Sequence, residues 1–430
     1  MIVRLSNAFS RKLVLVIALL VGGWLSFFGI RTAIARYDYE SGTQIGLESA
    51  VHLEPDNFAY WFLLGRSQQG NLEQPDSALA EEYFRKAIAL NPLATDAWLD
   101  LAVAYEMDGK NAEAREAYLR AKKSYPASAS VSWVYGNYLL RQGELTQAYA
   151  ELHHAIEADP HFAAQVFTLS FRTTPNIDEI LAEVLPAKQS VYVDVVTELV
   201  NKKRLADAKI VWARLITLHP RLTIREVNPL VQELGIAGEL PEARRIWDEG
   251  MATMNLPPLY TRRDSVVWDP SFESNINGYS FAWYFQPFAQ GVTIALDKSE
   301  KRSGNQSLRL SFDGKHNPNL EAACTIGAVR SGTTYSFSGW VKTKDITTKY
   351  GIGFKLRSVE GGDPMVTTRE VHGTNPWTLV DATWTAGPST RTVQICVSRE
   401  PSDNPEVRIS GNAWVDDVNL IPKSAEDHKP

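Results

Sequence analysis

The sequence is poor in cysteine and short of positive charge. Two Cys in 430 residues exclude a disulfide scaffold and a four-cysteine zinc site. Lys and Arg number 44 against 50 Asp and Glu, a formal net charge of −6, which argues against a nucleic-acid partner. No GxSxG, HExxH, P-loop or Rossmann glycine pattern occurs, so the local machinery for those chemistries is missing. Long uncharged apolar runs are confined to one stretch, which excludes a multi-spanning membrane chain. What remains is an ordinary globular composition, 44 % hydrophobic and 22 % charged with twelve Trp. The length suits about two to three domains.

The apolar stretch is Leu13 to Ile30, LVLVIALLVGGWLSFFGI. As a helix it measures about 27 Å, enough for a bilayer core. Arg4, Arg11 and Lys12 precede it, while Arg31 and Arg36 are soon diluted by Asp38 and Glu40. That bias puts residues 1–12 in the cytoplasm, makes 13–30 a single-pass anchor in the inner (plasma) membrane, and leaves the bulk periplasmic or extracytoplasmic. The competing reading is a cleaved signal peptide, since Ala33-Ile34-Ala35 has the A-x-A form. Both readings export the protein.

Pro92, Pro126 and Pro160 are spaced by 34 residues, and a fixed period of that size marks a solenoid. Within one unit Trp98, Leu101, Ala102, Tyr105, Gly109, Ala114, Tyr118 and Ala121 fall on two amphipathic helices, about 95–108 and 111–124, turning at Gly109-Lys110. Small residues let paired helices approach and the aromatics fill the space between pairs. This resembles the tetratricopeptide repeat. The unit before carries Trp61, Leu64, Gly65, Ala80, Phe84 and Ala87, and the unit after carries Tyr135, Gly136, Gly143, Ala148, Leu152 and Ala155. Tyr192, Leu199, Ala208, Trp212 and Pro220 re-enter the frame after a shortened pair over about 162–172 and 177–185. A last pair, about 223–235 and 240–250, closes an array spanning 36–253. Residues 36–53 read as one helix running on from the membrane segment.

The resemblance implies a protein partner held in the groove lined by the first helices. In this register Phe62, Arg66, Leu99, Val103, Trp133, Asn137 and Arg141 line it, with Phe62, Leu99 and Trp133 as an apolar line. Trp133 has a second reading, as a core Trp displaced by one position from Ser132. The Lys/Asn carboxylate clamp of some family members is absent.

After a linker at 254–262 containing Pro257-Pro258, period-2 alternation replaces helical spacing. Leu308, Leu310 and Phe312 alternate with polar residues, as do Tyr335, Phe337, Gly339 and Val341, and Val393, Ile395 and Val397. About nine short strands, punctuated by Gly- and Asn-rich turns, predict an antiparallel β-sandwich over 263–422 with a tail at 423–430. The fold class is therefore multidomain, α then β: transmembrane helix, α-solenoid, sandwich. The opening Asp269-Pro270-Ser271-Phe272-Glu273, the Ser303-Gly304-Asn305 run and the closing Trp414-Val415-Asp416-Asp417 look like the galactose-binding-like jelly roll of many carbohydrate-binding modules.

That resemblance implies two features. No cofactor is required, but a structural calcium would use Glu273 with Asp416 or Asp417; solvated carboxylates at strand ends are the alternative. A sugar would stack on an exposed aromatic. Trp283 and Trp384 share faces with apolar neighbours and read as core. Trp340 stands among Ser336, Ser338 and Lys342, so it is the sugar-stacking candidate, with burial under a loop as the alternative; Lys355 and Arg357, opposite in phase to Phe354 and Leu356, offer hydrogen bonds on the same kind of face, and Tyr284 is a further candidate. Cys324 and Cys396 lie in a domain where export permits a bridge, but Cys396 is out of phase with the core of its strand.

The combination is similar to repeat proteins of bacterial envelope polysaccharide systems. It implies a non-enzymatic, membrane-anchored scaffold, with an envelope protein on the repeats and polysaccharide on the sandwich. A pure protein-interaction scaffold and a carbohydrate-active enzyme are the alternatives, the latter requiring two facing carboxylates.

Overall fold

The computed structural model describes residues 8–70, 76–256, 259, 264–286, 290–401 and 407–423. Arg4, Pro257 and Pro258 of the expected linker, residues 260–263 and the tail after Lys423 lie outside the described residues. The chain divides into two compact units, Met1–Pro186 and Ala187–Pro430.

The first unit holds α1 (Ala8–Glu40), α2 (Gln44–Leu53), α3 (Phe58–Gln69), α4 (Ser77–Leu90), α5 (Thr95–Met107), α6 (Asn111–Ser124), α7 (Ala129–Arg141) and α8 (Leu145–Ala158). A 3-10 turn at Pro160–Phe162 leads to α9 (Ala163–Thr173) and α10 (Ile177–Glu183). Within α1, Arg11–Glu40 is long and apolar enough to cross a membrane, and its most apolar 18 residues have a mean hydropathy of 2.5. The expected continuous helix over 36–53 is instead broken. Gly42 takes a φ of 61°, Ser41 Oγ donates to the Asp38 carbonyl at 2.6 Å, and Thr43 Oγ1 caps α2 by accepting from Gly46 N at 3.1 Å. Ser-Gly-Thr thus supplies one helix end and the next helix start.

Pairs α3/α4, α5/α6 and α7/α8 repeat the same contacts. A Cβ at Gly65 would lie 2.7 Å from the Phe84 ring, so that crossing admits only glycine. Gly109 and Gly143 turn the chain at φ 73° and 78°, a conformation that other residues adopt at a cost. Trp61 and Trp98 each donate their indole N–H to the carbonyl six residues earlier, on Pro55 and Pro92, at 2.7 and 2.9 Å. Ala102, Ala114 and Ala121 are fully buried between helices. Lys110–Glu81 and Arg115–Glu144 ion pairs, each 2.6 Å, stitch neighbouring repeats.

The second unit begins with α11 (Gln189–Asn201), α12 (Leu205–Thr217), α13 (Ile224–Ile236) and α14 (Leu240–Thr253). Its strands are β1 (Tyr284–Phe285), β2 (Val292–Asp297), β3 (Ser307–Asp313), β4 (Leu320–Ala328), β5 (Thr334–Ile346), β6 (Gly353–Ser358), β7 (Val366–Thr367), β8 (Gly373–Thr385), β9 (Thr392–Arg399) and β10 (Ser410–Pro422). They form two five-stranded antiparallel sheets, I in the order β1-β4-β9-β6-β7 and II in the order β2-β3-β10-β5-β8. The residues expected to alternate inward, Leu308, Leu310, Phe337, Val341, Val393, Ile395 and Val397 among them, form one core with Trp283 and Trp384. The sheets approach closely where a Cβ on Gly339 would fall 2.6 Å from the Phe354 ring.

The last helix pair packs on the sandwich. Trp247 of α14 is fully buried, edge-on to Trp268 at 5.2 Å and to Phe281 at 6.0 Å. Arg244 Nη1 donates to the Val266 carbonyl at 3.0 Å, and Ser280 Oγ donates to Asn228 Oδ1 of α13 at 2.7 Å.

Candidate functional site

The outer face of sheet I gathers three of the expected site residues. Tyr284 pairs with Cys324, Cys324 with Cys396, Cys396 with Lys355, and Lys355 with Thr367. Directly opposed residues share a face, so these five form one row across the sheet. Cys324 and Cys396 form a disulfide in the middle of it, with Cα atoms 4.1 Å apart. Cys396 is indeed out of phase with the core, and that phase is what sets it beside Cys324. Both faces of β9 are covered, which is why Cys396 is buried although it points away from the other sheet.

The neighbouring row joins Ile326, Gln394 and Arg357. A bulge between Glu321 and Ala323 puts Glu321 opposite Ser398, hence on this same outer face. Arg357 donates to both Glu321 oxygens at 2.8 and 2.9 Å and, through Nε, to Gln394 Oε1 at 2.7 Å. Lys355 is nearly buried and pairs with Glu400 at 2.8 Å. On one side of this ridge lies a cavity of about 500 Å³ lined by Tyr284, Gln286, Glu321 and Gln394. On the other lies one of about 290 Å³ beside Tyr350 and Lys355. Tyr284 is 54 % exposed. Strict alternation gives no sign of Glu321, whereas Gln394 is recoverable from its phase opposite Val393 and Ile395.

Trp340 is not brought together with these residues. It lies on β5, in sheet II, beside Asp416 and Leu379. There the Arg302 guanidinium covers its ring at 3.9 Å, so the indole carries a cation on its open face.

Glu273, Asp416 and Asp417 surround the turn at Ser303-Gly304-Asn305. Glu273 accepts from Asn305 N, Asn305 Nδ2 and Gln306 N at 2.7, 2.8 and 3.2 Å. Asp416 is fully buried and accepts from Arg302 N, Ser303 N and Asp417 N; burial pushes its carboxyl up to about 6. Asp417 accepts the Ser271 and Ser303 hydroxyls at 2.6 Å each and pairs with Arg302. Burial raises it, but these hydrogen bonds outweigh that and lower its pKa. Every oxygen of the three carboxylates is thus taken by a protein donor, and Arg302 occupies the place of a counter-cation. This donor set does not fit a calcium cage.

In the repeats, Arg66 lies over the Phe62 ring at 5.6 Å and pairs with Asp100 at 3.1 Å. Burial pushes Asp100 up to about 6. Arg141 donates to both oxygens of Glu106 at 2.6 and 2.8 Å. These pairs link α3 to α5 and α5 to α7 across one surface. Leu99 is buried in the repeat core rather than lining that surface, because α5 turns it toward its neighbours, and Val103 packs against the same core. Trp133 rests against Phe162 at 5.7 Å and accepts, through its carbonyl, from Asn137 Nδ2 at 2.7 Å. Phe62, Leu99 and Trp133 therefore make no open apolar line.

Residues 69–129 match the family model described as tetratricopeptide repeat. Residues 264–404 match the one described as carbohydrate binding domain. Both are binding domains of non-catalytic kinds. An uncharacterized protein of Methanocaldococcus jannaschii is 47 % identical over 51 residues, 12 % of this chain and 57 % of that protein; the chain thus spans just over half the length of this relative. Similar solved structures include MamA, with TM-score 0.28 and 21 % identity over 32 % of this chain and 80 % of that one. The CBM22-1 xylan-binding domain of Paenibacillus barcinonensis Xyn10C gives a TM-score of 0.25 and 15 % identity over 36 % and 93 %.

Proposed function

We propose that this chain, which joins tetratricopeptide repeats to a carbohydrate-binding domain, is a non-enzymatic, membrane-anchored envelope scaffold. Its repeats hold a protein partner and its sandwich holds polysaccharide during assembly or export. The observation that carries this reading is the outer face of sheet I, where an open cavity of about 500 Å³ sets Tyr284 beside Gln286, Glu321 and Gln394. A pyranose presents apolar C–H faces rimmed by hydroxyls. An exposed phenol ring flanked by amides and a carboxylate matches both parts. Lys355 and Arg357 belong to this face through the Glu400 and Glu321 pairs, which cancel their charge and suit a neutral stretch of glycan.

Retention of the anchor is supported by the base of α1. Ala35 is fully buried with Leu47, Ala50 and Leu64, and Thr32 Oγ1 donates to Glu54 Oε1 at 2.5 Å. A signal-peptidase cut after Ala35 would remove a core residue. The basic N-terminal flank then orients residues 1–12 to the cytoplasm and the repeats and sandwich to the periplasm. No metal takes part in this reading.

Calorimetric titration of the full chain in nanodiscs with a panel of envelope polysaccharides tests it. Saturable binding that weakens about tenfold, or about 1.4 kcal/mol, in Tyr284→Ala is expected. Affinity unchanged in that variant, with the fold intact, moves the site off sheet I. Binding to no member of the panel leaves a protein-interaction scaffold.

A further inference from the structure

A third cavity, about 410 Å³, lies between α13 and the sandwich. Val231, Ile236 and Leu240 from the helical side and Phe281, Ile326 and Val359 from the sandwich supply its apolar wall, and Asn228, Gln232, Ser280 and Thr392 supply polar groups beside it. Ile236 and Val359 remain 72 % and 56 % exposed, so their apolar groups are open to an entering ligand. Gly278, Ser280 and Ile326 line both this cavity and the polar one holding Tyr284, so the two adjoin. The Ser280–Asn228 hydrogen bond at 2.7 Å ties their shared loop to α13. Gln232 and Asn228 are the amides on the helical wall, groups able to donate to a carbonyl entering among the apolar side chains.

A ligand that fills both cavities is hydroxyl-rich along most of its length and apolar at one substituent carrying a carbonyl. We infer that the pocket against α13 takes an O-acyl group, such as an acetyl ester, on the polysaccharide bound by sheet I. This rests on the carbohydrate-binding reading above and makes the last helix pair part of the binding site. Transfer of one or two carbons out of water at such a contact changes affinity about fourfold to fifteenfold.

The test uses Gly235. A Cβ there would touch only Leu240 Cδ2, at 3.9 Å, so Gly235→Leu fills the pocket from within α13 at a position where helix propensity favours the change. Full-length protein is titrated with O-acetylated xylan and O-acetylated glucomannan, each beside its alkali-deacetylated form. The expected result is that at least one acetylated polymer binds about tenfold tighter than its deacetylated form. Gly235→Leu is expected to remove that difference while leaving the deacetylated affinity and the thermal midpoint unchanged. Val359→Gln repeats the test from the sandwich wall should Gly235→Leu unfold. Equal binding of both forms, or a difference that survives both substitutions, overturns the inference and leaves the polysaccharide reading standing. Binding of none of the four polymers, nor of any in the envelope panel, removes that reading and this inference with it. A dimer that Gly235→Leu dissociates assigns the pocket to a second copy and overturns the inference as well.

Discussion

Replacing Trp247 by Ala removes the side chain that joins the last helix pair to the sandwich. Trp247 is fully buried and meets Trp268 and Phe281 edge-on at 5.2 and 6.0 Å. Truncation of a buried Trp costs about 3–5 kcal/mol, of which each aromatic pair contributes about 0.5–1.5 kcal/mol. The indole N–H has no acceptor among the described residues. Trp247→Phe therefore gives up no hydrogen bond and costs about 1–2 kcal/mol through lost volume alone. With a urea slope near 3 kcal/mol/M, the alanine variant lowers the midpoint by about 1 M or more and the phenylalanine variant by about half that. Urea-dependent hydrogen exchange on the full chain, followed in α13–α14 and in β3 and β9 together, reads both elements at once. The structure predicts one shared transition that shifts in both. A shift in the helices with the strand transition unmoved would refute the idea that they unfold as one unit.

Three further predictions concern the sandwich. Reducing Cys324–Cys396, which closes a separation of 72 residues, lowers stability by about 4 kcal/mol in the chain-entropy view, read as a lower urea midpoint with reductant; an unchanged midpoint would mean that the bridge does not form. Burial holds the Asp416 pKa at about 6, above its unfolded value near 3.8, so the folded state binds the extra proton. Its contribution is fully present below about pH 4 and is lost as pH rises through about 6, at up to about 1.4 kcal/mol per unit. Melting curves of Asp416→Asn between pH 4 and 7 should lack that fall relative to wild type, and parallel curves would contradict the assignment. Because protein donors fill Glu273, Asp416 and Asp417, chelation with EDTA should move the melting midpoint by less than about 1 °C; a shift of several degrees would show a bound cation.

The repeats were legible because their contacts constrain residue type. Gly65 against Phe84, Gly109 at a left-handed turn and Ala102, Ala114 and Ala121 between helices admit few alternatives, so the spacing alone located α5 and α6 to within a residue. The sandwich was legible through alternation, which assigned Leu308, Phe337 and Val393 inward. The candidate site was only half legible. Alternation states which residues point outward but not which sheet they occupy, so Trp340 in sheet II and Lys355 in sheet I looked alike. Glu321 was hidden by a bulge, a register event that leaves no pattern in the strand itself. The packing of Trp247 on Trp268 joins residues on either side of the expected linker, and periodicity carries no information about such a contact. The break at Gly42 was available in Ser41-Gly42-Thr43, where an apolar pattern continuing on both sides masked the cap.

Binding of polysaccharide on the outer face of sheet I is read by hydrogen exchange of the full chain with and without saturating polysaccharide. New protection is expected in β1, β4 and β9, around Tyr284, Glu321 and Gln394, with β5 and β10 unchanged. Protection centred on Trp340 and Asp416 in sheet II, or none in either sheet while the polymer is bound, would contradict it.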